Sequence, residues 1–387
     1  MSNKLHRSLL AAAVSGVVCA NAWALDPQGI KLSDGVIFTP TLKVAESYDD
    51  NFRAVENDEE SSWITTIAPT FTLGAEGRKS AYQVSYTAVS DTFHSSHKDN
   101  NTDHHLTGDV GVEFDARNRL KLNAGYHDVE DTASLDQQVE NDMYNTKNVG
   151  GVYTYGAETA RAQIDFGANY EELRYTNSDH LNADKERDST ALRSTFYYRV
   201  APKTKALLEA RYTDYNYVSN DLRNSENTGL LAGVTWEATA KTTGTAKFGR
   251  EKKDFDDSSV GEKSGGMWEV GATWEPRTYS RFGLNTRRGF DEGEDNASTI
   301  ESQTTTLSWE HDWAERLTSN VSYTRSDRDY QDIEREDKID TFGVGLTYAM
   351  RRWLDVGIGY KYSENDSDAV NESYERNIYA LTFNASL

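Results

Sequence analysis

Four of the eight histidines of this chain lie close together in one polar stretch, HSSHKDNNTDHH. They are His94, His97, His104 and His105. Imidazole is a common zinc ligand, so this grouping permits a metal site. The stretch has the composition of an exposed loop, however, and the only cysteine, Cys19, precedes the expected mature chain. Ordinary surface histidines, with no metal and no cofactor, fit the sequence better.

Two other histidines stand beside carboxylates, His127 before Asp128 and His311 after Glu310. A hydrolase needs such a pair to be joined by a positioned nucleophile, and neither pair forms a recognisable constellation with one. The chain also lacks a phosphate-binding glycine loop, a zinc helix motif and a basic stripe for nucleic acid. We therefore expect no catalytic residue, no enzymatic activity and no nucleic-acid partner.

The residues that remain as functional candidates are charged side chains at alternate positions of predicted strands. The basic ones are Lys43, Arg119, Lys121, Arg161, Arg193, Arg199, Arg211, Lys247, Arg281, Arg287, Lys361 and Arg376. The acidic ones are Asp109, Glu113, Asp165, Glu209, Glu237, Glu269, Glu310 and Asp355. If the strands close into a barrel, these side chains face its lumen and make a wet, polar channel wall. The alternative role is structural, because inward ion pairs also hold strands together.

The strands themselves are recognised by an alternation of apolar and polar residues. In RWLDVGIGYKY, Leu354, Val356 and Ile358 share one face, and Asp355 and Lys361 share the other. Nine to eleven residues of this kind, tilted, cross about 25 Å of hydrocarbon. Short turns recur about every 38 residues, with longer acidic loops between them. The turns fall near Arg78, Arg117, Glu158, Pro202, Lys241, Pro276, Glu315 and Arg351.

Short turns on one rim and longer loops on the other indicate nine hairpins of an all-β protein. We predict a transmembrane, antiparallel, up-and-down β-barrel of about 18 strands, with 16 as the alternative count. Aromatic residues support it, because tryptophans fall beside the short turns and tyrosines at the far strand ends, as in membrane-interface belts. These residues are Trp236, Trp274, Trp313 and Trp353, and Tyr126, Tyr170, Tyr212, Tyr323 and Tyr360. Eighteen strands leave a bore wide enough for solutes.

The N-terminus predicts the cellular address. Lys4 and Arg7 precede an apolar run, and Ala22-Trp23-Ala24 forms a small-x-small cleavage site. We expect a signal peptide at 1–24, cleaved near Ala24, a short periplasmic segment at 25–35 and an outer-membrane barrel at 36–387. Partners would include outer-membrane lipid.

The other end of the chain carries a second signal of address. Tyr379, Leu381, Phe383, Ala385 and Leu387 alternate to the last residue. This pattern resembles the C-terminal strand signal read by the outer-membrane insertion machinery. That signal usually ends in phenylalanine, and Leu387 departs from it.

Two prolines sit awkwardly in the predicted barrel. Pro40 and Pro69 fall inside the first two strands, where each removes a hydrogen-bond donor from the ladder. A closed barrel has no free edge at which such a loss is harmless. We expect the two prolines to face each other near one rim.

The segment TPTLKVAESYDDNF, followed by SSWITTIAPTFTL, resembles the opening of the second "putative beta-barrel porin" family. The residues that carry the resemblance are Pro40, Tyr48, Asp49, Asp50, Asn51, Ile64, Thr65 and Pro69. The resemblance implies a barrel for export of exopolysaccharide or capsule. It also implies a polysaccharide substrate and a periplasmic polysaccharide-export protein that lacks a membrane-spanning crown of its own. It carries over no catalytic residue.

Three functions stay open from the sequence. The first is passive polysaccharide export, the second a general or nutrient-uptake porin, and the third a surface-structural or adhesive barrel. An export channel should depend on periplasmic partners, whereas a porin should conduct small solutes alone. An adhesin should tolerate a blocked lumen. Reversing Arg193, Arg199 and Arg211 together is expected to impair polymer passage while insertion is retained.

Overall fold

The structure, a computed structural model, describes residues 29–132, 140–239 and 241–386. Almost all of them lie in antiparallel strands. The strands are β1 (Ile30–Ser33), β2 (Val36–Asp49), β3 (Ser62–Glu76), β4 (Ser80–Phe93), β5 (Asn101–Glu113), β6 (Asn118–Asp131), β7 (Asp142–Tyr155), β8 (Ala162–Tyr175), β9 (Arg187–Ala201), β10 (Thr204–Tyr217), β11 (Ser225–Thr239), β12 (Thr242–Phe255), β13 (Glu262–Arg277), β14 (Ser280–Glu292), β15 (Thr299–Ala314), β16 (Leu317–Tyr330), β17 (Glu336–Arg351), β18 (Leu354–Ser367) and β19 (Tyr374–Ser386).

Each strand from β2 onward pairs with the next, and β19 pairs with β2. Of the 19 strands in the sheet, all except β1 therefore close into a ring, and the barrel has 18 strands. The prediction of an antiparallel 18-stranded barrel is confirmed. The expected signal peptide and Leu387 lie outside the described residues. Within the described part of the chain, no helix is long and apolar enough to cross a membrane.

The two faces of the barrel wall differ in polarity. Large apolar side chains such as Leu122, Val149 and Ile358 are more than a third exposed on one face, here called the outer face. The opposite face is the inner one, because its side chains reach past intervening strands. Arg211 on β10, for example, bonds Glu269 on β13. Only side chains on the concave side of a closed sheet can make such a contact, so the apolar face meets the membrane.

The two rims differ in the length of their connections. On one rim the turns run from two residues, 202–203, to six, 156–161. On the other rim the loops run from five residues, 331–335, to twelve, 50–61. The sixth short turn lies at 278–279, because Pro276 is still inside β13. Some of the acidic residues at this rim, among them Asp291 and Glu364, lie on strand ends and not in the loops. We call the two sides the short-turn rim and the long-loop rim.

Outer-face aromatic residues gather towards the short-turn rim. The rings of Trp274 and Phe282 stack at 5.2 Å, and those of Phe282 and Trp309 at 6.1 Å. Trp309 also contacts Trp313 edge to face. Farther along the strands toward the long-loop rim, Tyr360 packs on Tyr379. Amphipathic rings at two depths match the two interfaces of a bilayer.

The two prolines are accommodated in different ways, and they do not pair directly. Pro40 lies opposite Phe71, and Pro69 opposite Leu42. On its other side, β2 pairs with β19 only over Thr41–Asp49, so Pro40 sits just beyond the paired region. β1 continues this edge by pairing with Val36–Phe38. Pro40 therefore stands between two partners, where an absent N–H costs little.

The stretch predicted as a periplasmic segment, 25–35, thus contributes a strand. β1 and β2 are joined by a tight turn in which Gly35 adopts a φ of 77°, in the left-handed region that glycine occupies without strain. The carbonyl of Gly35 accepts a hydrogen bond from the Glu76 amide at 2.7 Å, which holds the turn against the end of β3. The short strand covers the part of β2 that β19 is too short to reach.

The seam between the first and last barrel strands is clamped at the long-loop rim by three consecutive polar residues. Asp49 forms an ion pair with Arg376 at 2.5 Å, and Asp50 accepts the amide of Asn377 at 2.6 Å. Asn51 is fully buried and donates to the carbonyl of Glu375 at 2.9 Å. The motif that carried the family resemblance therefore closes the barrel.

Candidate functional site

The most densely charged part of the inner wall lies on β10, β12 and β13. Glu209 accepts from Arg211 at 2.6 Å and from Lys247 at 3.2 Å. Glu269 accepts from the same two cations, at 2.6 Å and 2.5 Å. Thr195 donates to the second oxygen of Glu209 at 2.9 Å. Two acids and two bases thus form one neutral network, in which each charge that loses water gains an opposite charge.

Other predicted wall residues form ion pairs along the barrel. Their partners are Glu158 for Arg119, Glu275 and Glu310 for Arg281, Asp291 for Arg287, and Asp49 for Arg376. The Arg199 guanidinium donates to turn carbonyls, including that of Pro202 at 2.8 Å. Arg161 lies in a short turn and packs its guanidinium over Tyr198, an outer-face residue, at 5.1 Å.

The rest of the predicted set shares the inner face by strand register. These residues are Lys43, Asp109, Glu113, Lys121, Asp165, Arg193, Glu237, Asp355 and Lys361. Lys43, Lys121 and Arg193 make no ion pair with any described residue. Their charges are consequently available to whatever fills the lumen.

The histidine group does not converge on one point. Tyr86 bonds His104 at 2.8 Å on the outer face, whereas His105 meets His127 at 2.9 Å between their Nδ1 atoms on the inner face. His94 contacts Thr65 at 2.9 Å. Among the residues that the structure describes, no group of three or more histidine, aspartate or glutamate side chains is placed to hold a metal ion.

A cluster of charged and aromatic residues at the long-loop rim was not predicted from the sequence. Lys253 and Tyr217, both buried on the inner face, bond the two carboxylate oxygens of Glu292. Glu251, also buried, accepts the backbone N–H of Phe290 at 2.7 Å. Arg223, in the loop between β10 and β11, donates to the carbonyl of Gly293. These contacts run from β10–β12 to β14, past β13.

β14 can make these contacts past β13 because the ladder of hydrogen bonds between β13 and β14 is interrupted. Their pairing stops at Trp268 and Arg288, although both strands continue toward the long-loop rim, β13 to Glu262 and β14 to Glu292. Beyond Arg288, β14 bends inward over β12. The one signal in the sequence is the pair Gly265-Gly266, since glycine in a strand often marks an irregularity. We call this gap between β13 and β14 the split.

The loops beside the split are tied together by charge. Arg335 bonds Asp337 at 2.7 Å, Asp295 at 2.8 Å and Glu372 at 3.0 Å, and its guanidinium covers Tyr330. The loops 293–298, 331–335 and 368–373 are thereby joined into one surface. A shared, mostly buried cation of this kind fixes several loops at once.

We expect the order of one of these loops, 331–335, to depend on pH. Burial acts to raise the pKa of Asp332, but hydrogen bonds from Lys263 and Ser298 outweigh it and hold that pKa below its usual value of 3.8. The tie is therefore complete above pH 3.8 and is lost as the pH falls through the folded-state pKa. We expect Asp332→Asn to speed hydrogen exchange in 331–335 at pH 7. The difference from the wild type should shrink as the pH falls through the folded-state pKa, and a constant difference would contradict the assignment.

Comparison with known proteins gives a family for the chain. Residues 24–386 match the family described as "Putative beta-barrel porin 2". No curated protein matches the chain. Among solved structures, OpdK of Pseudomonas aeruginosa, determined with vanillate, has a TM-score of 0.51 at 10% identity over 90% of this chain and 99% of its own.

Two further structures show the same fold. OccK2 (OpdF) of Pseudomonas aeruginosa has a TM-score of 0.51 at 12% identity, covering 90% of this chain and 98% of that one. OccAB4 of Acinetobacter baumannii has a TM-score of 0.50 at 11% identity, covering 93% and 99%. The family is described as a β-barrel porin family, and these neighbours share the barrel fold of this chain. The chain belongs to the putative beta-barrel porin 2 family and is a porin-like β-barrel channel of the bacterial outer membrane.

Proposed function

We propose that this channel is the outer-membrane passage for an exopolysaccharide. The observation that carries the proposal is the closed ring of 18 strands. A circular barrel of 18 strands has a backbone diameter of about 35 Å. The longest of the loops described on the long-loop rim, 50–61, has twelve residues and packs Phe52 against Ile64 and Phe93 beside that rim. A chain of hydrated sugars needs such a passage along the whole barrel axis.

The wall supports passive threading. Many of its charges are paired with one another, as in the network of Glu209 and Arg211, which has no net charge. Weak and repeated contacts allow a polymer to move, since a tightly held segment would not be released. Polymer synthesis would supply the driving force. A periplasmic polysaccharide-export protein would deliver the chain to the short-turn rim.

A clean deletion tests the proposal, with polysaccharide measured both at the cell surface and in the periplasm. Loss of surface polymer with periplasmic accumulation, restored by the wild-type chain, is the expected result. Unchanged surface polymer would refute export. The purified barrel would then be tested for conductance of small solutes.

The lumen contribution is best tested with cations that have no structural duty. Arg199 and Arg211 are unsuitable, because the first caps a turn and the second holds the charged network. We expect Lys43→Glu, Lys121→Glu and Arg193→Glu together to reduce surface polymer about tenfold if the polymer is acidic, because three charges that contribute about 0.5 kcal/mol each sum to about the 1.4 kcal/mol of a tenfold change.

The glutamine version of the same triple variant is the matched control, and its effect should be intermediate. Heat-modifiable migration on gels checks that both variants are folded. Normal export by the glutamate variant would exclude a role for these cations in polymer contact.

A nutrient-uptake porin is the second candidate, favoured by one recess in the inner wall. It has a volume of about 470 Å³ and is lined by Lys247, Glu269, Asn285, Arg287 and Thr304 among others. Sites for small ligands commonly have volumes of about 300 to 1,000 Å³. Saturable uptake of a small charged solute by a deletion strain carrying the wild-type chain would support this function.

A further inference from the structure

We propose that the split between β13 and β14 is a two-position gate at the mouth of the barrel, latched inward by Glu292 in this structure. The inference needs only a conducting barrel. It does not depend on whether the cargo is a polysaccharide.

The latched position is defined by contacts that cross the split. Glu292 binds Lys253 and Tyr217, with 2.7 Å from the tyrosine hydroxyl to the carboxylate. The carboxylate of Glu251 takes the amide of Phe290, a backbone group on the interrupted stretch of β14. Lys263 on β13 reaches Asp332 at 2.5 Å. The end of β14 is thereby held over the inner faces of β10 and β12, inside the mouth.

The second position follows from the register that is already present. Trp268 lies opposite Arg288, so extending the antiparallel ladder would place Gly266 opposite Phe290 and Ser264 opposite Glu292. The corresponding stretch of β13 pairs only with β12 in the latched position. A side chain added at Gly265 would meet the ring of Phe290 at 3.2 Å, so the interrupted stretch of β14 already lies next to β13 at this level.

The change is confined to one seam. β12 and β13 are paired along their whole length, as are β14, β15 and β16. The loop after β14 moves with β16, because Glu294 bonds Arg328 at 2.9 Å and Ser298 bonds Asp332. Closing the ladder exchanges latch contacts for strand hydrogen bonds and carries the β14 edge out of the lumen. Two alternative sets of satisfied contacts are what a switch between discrete states requires.

The first test removes the latch. We expect Glu292→Gln to raise the single-channel conductance of the purified barrel in planar bilayers about twofold, since pore size limits ion flow. Glu294→Gln is the matched control, because it makes the same charge change two residues further along, in the loop after β14, but breaks a contact on one side of the split. Equal conductance of the two variants would overturn the latch.

The second test traps the outward position. The mature chain is expected to lack cysteine, so a disulfide between Ser264→Cys and Glu292→Cys can be read without background. Those two residues must come within about 7 Å between Cα atoms to be bridged. We expect oxidation to form the bond and to hold the conductance high, with reduction restoring fluctuations between two levels. Failure to form the bond in folded protein, or an oxidised barrel that conducts like the wild type, would overturn the gate.

Discussion

Asn51→Ala is expected to destabilise the folded barrel by about 3 kcal/mol, because it leaves buried backbone groups without partners. The Asn51 amide donates to the carbonyls of Val55 and Glu375 and accepts from the amide of Val55. Water cannot replace these bonds at a fully buried position. One of them joins the loop after β2 to β19, at the seam where the barrel closes over a ladder of nine residue pairs.

The free energy of unfolding in urea, with the protein in detergent or lipid, measures the effect. Asn100→Ala is the matched control. Its side chain also accepts a backbone amide, that of Phe93 at 2.7 Å, but within its own hairpin. We expect a loss of about 1 kcal/mol there, as for an ordinary single hydrogen bond. Equal losses in the two variants would show that the seam clamp has no special role.

The barrel could be predicted from the sequence because two periodicities fix it. Alternation assigns a face to each strand residue, and the turn spacing sets the strand count. Glu209, Arg211, Lys247 and Glu269 were accordingly assigned to one wall before their contacts were known. The parity of a residue, however, does not identify its partner. Arg211 bonds β13, three strands away, and that distance depends on the curvature of the closed sheet.

Other features of the structure could not be predicted from the sequence, each for a physical reason. The outward positions of β14 become mixed in polarity near the split, where Arg288 precedes Phe290, so the pattern does not mark the residue at which pairing with β13 ends. Arg161 has the inward parity but lies in a turn, where parity no longer assigns a face. Pro40 is predicted to be costly because a closed barrel has no free edge, but the pairing of β19 with β2 ends at Thr41, and the sequence does not show this. The clamp formed by Asp49, Asp50 and Asn51 was visible as a motif, but its purpose depends on a strand more than 300 residues later.

The charged network on the inner wall gives the second large effect. Replacing Glu209 and Glu269 together by glutamine leaves Arg211 and Lys247 without their carboxylates in a partly buried site. We expect a loss of about 3 kcal/mol in stability, since removing one side of such a network strands the other.

The same double variant tests whether this network sets the ion preference of the channel. The wall gains two positive charges at one level of the bore, so anions should be favoured there. We expect the reversal potential in a salt gradient to shift towards the anion value. Glu237→Gln is the control, because that exposed side chain is on the same wall but makes no ion pair with a described residue, and it should change stability by less than about 0.5 kcal/mol. An unchanged reversal potential in a folded double variant would place the main ion path away from β10–β13, and the network would then serve only to join strands.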